Sequence, residues 1–196
     1  MNIRKLFTGG LFLLTAMVTH AQPDTARISR KALLYADSLV KTDTYGNWST
    51  YADLAPASVI KYYGGKDGYI GHVLSMRGFT MSAIEEDAPS LQLETLVTKN
   101  DQWQCVIRLS RYFHKDDKKF HLVSNLIAQS RDEGETWRIF DVNYNTVTNM
   151  ILIFPEIMDM PLKATSVLSE EQELAQQQAA ANAAAPAGKK AVARKK

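Results

Sequence analysis

Cysteine, histidine and long apolar runs are scarce in this chain of 196 residues. Its one cysteine, Cys105, excludes an internal disulfide, so a packed core must hold the fold. Cys105 sits among apolar neighbours and reads as a small buried hydrophobe. A reactive thiolate would need a cationic neighbour, and Arg108, three residues along a strand, faces the opposite side. The histidines are scattered: His72, His114 and His121 show neither H-x-x-x-H nor H-E-x-x-H spacing, and His20 lies near the start. No metal or cofactor is implied. Charge of one sign is also missing where it would matter. Of 23 basic residues, Arg4, Lys5, Lys189, Lys190, Arg194, Lys195 and Lys196 lie at the two ends, whereas all 21 acidic residues lie between 22 and 188. The interior of the chain is therefore mildly acidic, which argues against a nucleic-acid-binding domain.

What is present begins with three parts over residues 1–21: a basic start at Arg4 and Lys5, an apolar run from Leu11 to Val18, and a small residue, Ala21, before Gln22-Pro23. That is the pattern of a secretory signal peptide cleaved near Ala21, and the run is too short to span a bilayer. No cysteine follows it to take a lipid. The expectation is a mature chain without a transmembrane segment, exported to the periplasm or secreted.

The stretch from Trp103 to Val142 organises the rest. Trp103, Cys105, Ile107 and Leu109 alternate with Gln104, Arg108 and Ser110, the period of a strand with one buried face. Phe120–Gln129 and Thr136–Val142 read as two further strands, and short polar turns make the pairing antiparallel. Upstream, Ile28, Ala32, Tyr35, Ala36, Leu39 and Val40 recur at helical spacing over residues 24–44. A shorter helix fits Trp48–Leu54, with Asn47 as cap and Pro56 as stop, and a third fits Lys66–Met76. The Gly64-Gly65-Lys66 triplet lacks the spacing and strand-to-helix context of a phosphate loop, and reads as a turn. Phe79–Glu86 and Leu91–Thr98 read as strands split by Pro89. Asn145–Phe154 reads as a closing apolar helix or helical turn. Beyond residue 160 the composition turns to Glu, Gln and Ala with a Lys/Arg end, which reads as a flexible, partly helical tail.

Ser130-Arg-Asp-Glu-Gly-Glu-Thr-Trp137 matches the Asp-box pattern S-x-D-x-G-x-T-W. Propellers built on such boxes need several copies, and one is present. It reads as a rigid turn: Asp132 accepts from turn N–H groups, Gly134 takes positive φ, and Trp137 packs beneath.

Helices followed by a bent antiparallel sheet, with Tyr35-Ala-Asp-Ser-Leu-Val40, Ile60-Lys-Tyr-Tyr-Gly-Gly-Lys66 and the Ser130–Trp137 hairpin, resemble exported bacterial members of the nuclear transport factor 2-like, cystatin-like superfamily. The resemblance covers residues 24–156. It implies an α+β cone, with N-terminal helices in the concave face of a strongly bent antiparallel sheet and a pocket at the open end. The implied organisation is a signal peptide over 1–21, one domain over 22–160 and a tail over 161–196. Members include isomerases, dehydratases, cyclases and non-catalytic binding modules, and fold alone does not choose between them. Enzymes of this kind use acid–base groups inside the cone. The chain offers Tyr35, Asp53 and Asp141 there, but none matches a family motif residue by residue, so no catalytic residue is assigned. Aromatics crowd residues 45–69, and Tyr35, Trp48, Tyr51 and Tyr63 are the expected contacts for a small apolar or sugar-like ligand. Val106, Val123 and Ile127 fall on the opposite strand faces and would give a homodimer an apolar sheet surface. The preferred expectation is a non-catalytic ligand-binding or protein-interaction module; the alternative is a small isomerase, dehydratase or cyclase.

Overall fold

The computed structural model describes residues 24–77, 84–85, 88–144, 160, 162–163 and 165–184. The signal-peptide segment, most of Phe79–Glu86, the Asn145–Phe154 segment and the basic end lie outside these. The fold is α+β, with the helices N-terminal to an antiparallel sheet that does not close into a barrel.

Helix α1 (Thr25–Thr44) starts where the Asp24 carboxylate accepts from the Arg27 N–H at 3.0 Å, filling a donor left open by the first turn. Ile28, Ala32, Ala36, Leu39 and Val40 form its buried stripe. Small Ala32 and Ala36 let the helix sit close to the sheet, while each fully buried Ile or Leu contributes about 1.5–3 kcal/mol. Asn47 caps α2 (Trp48–Leu54) by accepting from the Thr50 N–H at 3.3 Å. An unforeseen short helix, α3 (Ala57–Tyr62), follows Pro56, which fixes the first-turn geometry. Helix α4 (Lys66–Met76) then buries Tyr69 and Val73.

The sheet is built on two long strands, β3 (Gln102–Lys115) and β4 (Lys118–Ser130). Strands β1 (Ile84–Glu85) and β2 (Ser90–Lys99) pair along the outer edge of β3. Strands β5 (Arg138–Asp141) and β6 (Ser166–Ser169) pair along the outer edge of β4. The β2–β3 and β3–β4 turns are two-residue loops, Asn100-Asp101 and Asp116-Asp117, with all four residues at positive φ. That backbone matches the right-handed twist of the flanking strands, and Asn and Asp tolerate it. A register shift at Glu94 puts Leu93 and Leu96 on one face, opposite Ile107 and Cys105.

The Asp-box hairpin forms as its residues dictate. The Ser130 hydroxyl and the Thr136 N–H donate to Asp132 Oδ1 at 2.8 and 2.9 Å, and the Thr136 hydroxyl donates to Oδ2 at 2.6 Å. Gly134, at φ +84°, donates its N–H to Ser130 Oγ, and Trp137 Nε1 donates to the Gly134 carbonyl. Trp137 is fully buried. A Cβ on Gly134 would stand 2.9 Å from Ile28 of α1. Glu135 pairs with Arg27 and Lys31. The hairpin is thus a structural clamp on the first half of α1.

Two readings change. Val106, Val123 and Ile127 are 1 %, 6 % and 1 % exposed within the single chain. These three side chains are buried within the single chain, so they offer no exposed apolar surface to a second copy. The C-terminal stretch, read from composition as tail, also contains an unforeseen strand. Ser166–Ser169 pairs with Phe120–Val123, and helix α5 (Glu170–Ala184) follows it. Ser169 and Gln172 cap that helix reciprocally, at 3.0 and 3.3 Å.

Candidate functional site

The inner face of the sheet alternates apolar and polar toward its far end. On β3, Cys105, Ile107 and Leu109 lead to Arg111; on β5, Ile139 leads to Asp141. On α1 the buried stripe ends in Asp43, one turn after Leu39 and Val40. These three polar residues meet between the end of α1, the helices α2 and α4, and the sheet.

Asp43 is 1 % exposed and holds two guanidinium groups. Arg111 Nη1 donates to its Oδ2 at 2.7 Å, and Arg77, at the end of α4, pairs with Oδ1 at 3.4 Å. The Tyr144 hydroxyl donates to Oδ1 at 3.3 Å. Burial alone would lower the Arg111 pKa, but the Asp43 charge and hydrogen bond outweigh it, and the guanidinium stays firmly charged. Arg77 also lies over the Trp48 ring, 5.1 Å from its centroid.

Asp141 is buried beside this ion cluster. Its Oδ1 accepts from the Ser124 hydroxyl at 3.1 Å and from the Asn143 N–H at 2.8 Å. Loss of water is the dominant influence and lifts its pKa to about 6. The two hydrogen bonds and the Arg111 charge oppose the rise without cancelling it. Asp141 therefore titrates in the range where a carboxyl can both give and take a proton.

Three tyrosines feel the charges of Asp43 and Asp141. Burial pushes Tyr51, Tyr69 and Tyr144 well above the ordinary phenol range, and the charges of Asp141 and Asp43 push in the same direction. For Tyr69 the adjacent Tyr51 hydroxyl tempers the rise. All three are hydrogen-bond donors at any physiological pH. Tyr51 and Tyr69, 1 % and 0 % exposed, stack at 6.0 Å. The two hydroxyls lie close enough for Tyr51 to act on Tyr69 as a hydrogen-bond partner, and neither meets any other protein partner at hydrogen-bonding geometry. Leaving a buried hydroxyl unpaired costs about 1–3 kcal/mol, so two side by side call for a reason.

Of the residues expected at a ligand site, the structure joins three. Trp48 meets Tyr51 edge-on at 5.9 Å, Tyr51 stacks on Tyr69, Tyr69 lies 5.6 Å from Tyr63, and Tyr63 stacks on His72 at 4.3 Å. The His72 ring is fixed in turn by the Tyr144 carbonyl at 2.7 Å. Tyr35 is half-buried on α1 and, among the described residues, makes no ring contact with that row. Asp53 faces solvent and pairs with Lys66. Asp43, Arg77, Arg111, Tyr69 and Tyr144 were not singled out from sequence as site residues. The signal for two of them was there: Asp43 and Arg111, like Asp141, each continue an apolar inward stripe with a charge. No group of three His, Cys, Asp or Glu residues suited to a metal ion occurs among the described residues. No helix there is long and apolar enough to cross a membrane.

Comparison with protein-family models, with curated proteins and with solved structures finds no match for this chain.

Proposed function

We propose that this chain is an exported member of the nuclear transport factor 2-like superfamily that binds a small, mainly apolar ligand between its helices and its sheet. The ligand carries one hydrogen-bond acceptor, such as a carbonyl oxygen, for the Tyr51 and Tyr69 hydroxyls. The observation that carries this reading is that pair of fully buried hydroxyls, with no protein partner beyond each other, near the Asp141 charge. The row from Trp48 to His72 supplies apolar walls, and the Asp43–Arg77–Arg111 cluster anchors the end of α1 to α4 and β3. Such a site fits the general plan of small-molecule pockets, apolar walls with a few convergent polar groups.

A second reading rests on one specific observation. Asp141, buried and with a pKa lifted to about 6, has the properties of a general base, which suits an isomerase, dehydratase or cyclase. Binding without chemistry is the simpler reading, because burial, with the Asp43 charge adding to it, accounts for the rise.

Native mass spectrometry of the chain purified from its own host tests the proposal. A discrete adduct is expected, lost from a Tyr51→Phe/Tyr69→Phe variant that still folds. A bare chain in both preparations would overturn it.

A further inference from the structure

The outer face of the sheet carries a second polar constellation, independent of the interior site. Ser110 and His121 lie diagonally across β3 and β4, because Ser110 pairs with Val123 and Tyr112 with His121. The Ser110 hydroxyl and His121 Nε2 are 2.7 Å apart. On the other side of the ring, His121 Nδ1 lies 2.9 Å from Glu173 Oε1, in the first turn of α5. One tautomer satisfies both contacts: Nδ1–H donates to Glu173, and Nε2 accepts from the serine O–H. Tyr112 stacks on the imidazole at 4.2 Å with the planes 12° apart, which fixes the ring orientation. His121, Tyr112, Glu173, Lys119 and Leu174 line a cleft of about 270 Å³ beneath α5.

The geometry points to a nucleophilic relay, in which Glu173 orients His121 and His121 activates Ser110 toward a small ester or similarly activated acyl group. A hydroxyl, an imidazole and a carboxylate in line are the parts acyl transfer needs, and they are recognised by geometry and not by order in the chain. Ser110 Oγ forms a bond to the acyl carbon while its proton passes to His121 Nε2. The ester C–O bond breaks, and the departing alkoxide takes that proton. Water then attacks the acyl-serine, gives one proton to His121, and releases the carboxylic acid as the proton returns to Ser110. Lys119, whose ammonium lies 5.0 Å from the Tyr112 ring centroid, brings positive charge to the cleft that His121 and Glu173 line. If His121 only fastened α5 to the sheet, its bond to Glu173 would suffice. The bond from the opposite ring nitrogen to a half-buried serine turns the clasp into a relay.

The test is phosphonylation of the full-length chain by a fluorophosphonate, in which Ser110 Oγ displaces fluoride from phosphorus and its proton leaves through His121. Peptide mapping is expected to place one adduct on Ser110. It should form about 100-fold faster than in the same chain unfolded in urea, the scale of general-base assistance. Ser110→Ala should abolish the adduct, and Glu173→Gln should slow it by about tenfold or more while the far-ultraviolet circular dichroism is kept. If Ser110 is labelled no faster in the folded than in the unfolded chain, the relay is refuted, whatever the variants do. Equal labelling of folded wild type and folded Glu173→Gln would likewise remove Glu173 from it.

Discussion

Replacing Asp141 by asparagine isolates the energetics of the interior site. Asparagine has nearly the same shape, and its Oδ1 can still accept from Ser124 and from the Asn143 N–H. What it removes is a buried charge. The Asp141 pKa rises from 3.8 to about 6 on folding, mainly through lost hydration. The folded chain therefore binds more protons than the unfolded chain between those values, and wild-type stability falls as pH rises through that window. A shift of about 2 units at about 1.4 kcal/mol per unit gives a loss of ~3 kcal/mol, complete above about pH 7. Asp141→Asn should escape it, gaining ~3 kcal/mol near pH 8, or about 6–12 °C in Tm, and almost nothing near pH 4. Urea unfolding of both chains across this range measures the difference, and subtracting the two curves removes every other titrating group. A variant less stable than wild type near pH 8, or a difference that does not change with pH, would refute the reasoning. The result also bears on function, because a charge that weakens the fold at neutral pH calls for a compensating use.

Other outcomes follow from single features. Gly134→Ala should lower stability by about 2–3 kcal/mol in urea melts, because the position needs positive φ and its Cβ would meet Ile28. Asp43→Ala should cost about 3–5 kcal/mol, since it strands Arg77 and Arg111 with little access to water. For Asp132, the Thr136 and Ser130 hydrogen bonds hold the carboxyl down to about 2. Its contribution is fully present above its ordinary pKa of 3.8 and is lost as pH falls through about 2, so Asp132→Ala should destabilise at neutral pH and lose that effect in strong acid melts. Cys105 is fully buried, and burial pushes its thiol up to about 12. A thiol reagent should leave it untouched in the native chain and titrate it once urea unfolds the core.

The fold was legible where one physical pattern acts alone. The α1 stripe at Ile28, Ala32, Ala36, Leu39 and Val40, the Asn47 cap, the antiparallel β3–β4 pairing and the Asp-box turn are local signals, and each forms as its spacing implies, whereas the one buried face expected of β3 does not hold, since Gln104 and Val106 are buried too. Helix α3 was missed because six residues that include β-branched Val59 and Ile60 carry no helical periodicity. Strand β6 was missed because its pairing is dictated by the free edge of β4 and not by its own composition. The Ser169-x-x-Gln172 box is a local helix-start signal at the head of α5. Burial of Val106, Val123 and Ile127 could not be read from alternation, which separates two faces but does not say that both are covered. The candidate site was half visible: Trp48, Tyr51 and Tyr63 are aromatic and close in sequence. Asp43 and Arg111, 68 residues apart, meet only when α1 crosses β3. The Ser110–His121–Glu173 line depends likewise on the docking of α5, which spacing alone does not reveal.

A crystal structure of the chain purified from its host tests the central claim most directly. Our account predicts a non-protein molecule with a polar atom about 3 Å from both the Tyr51 and Tyr69 hydroxyls, its apolar part against the row from Trp48 to His72. Finding those hydroxyls paired within the protein, with side chains filling the space between helices and sheet, would contradict it.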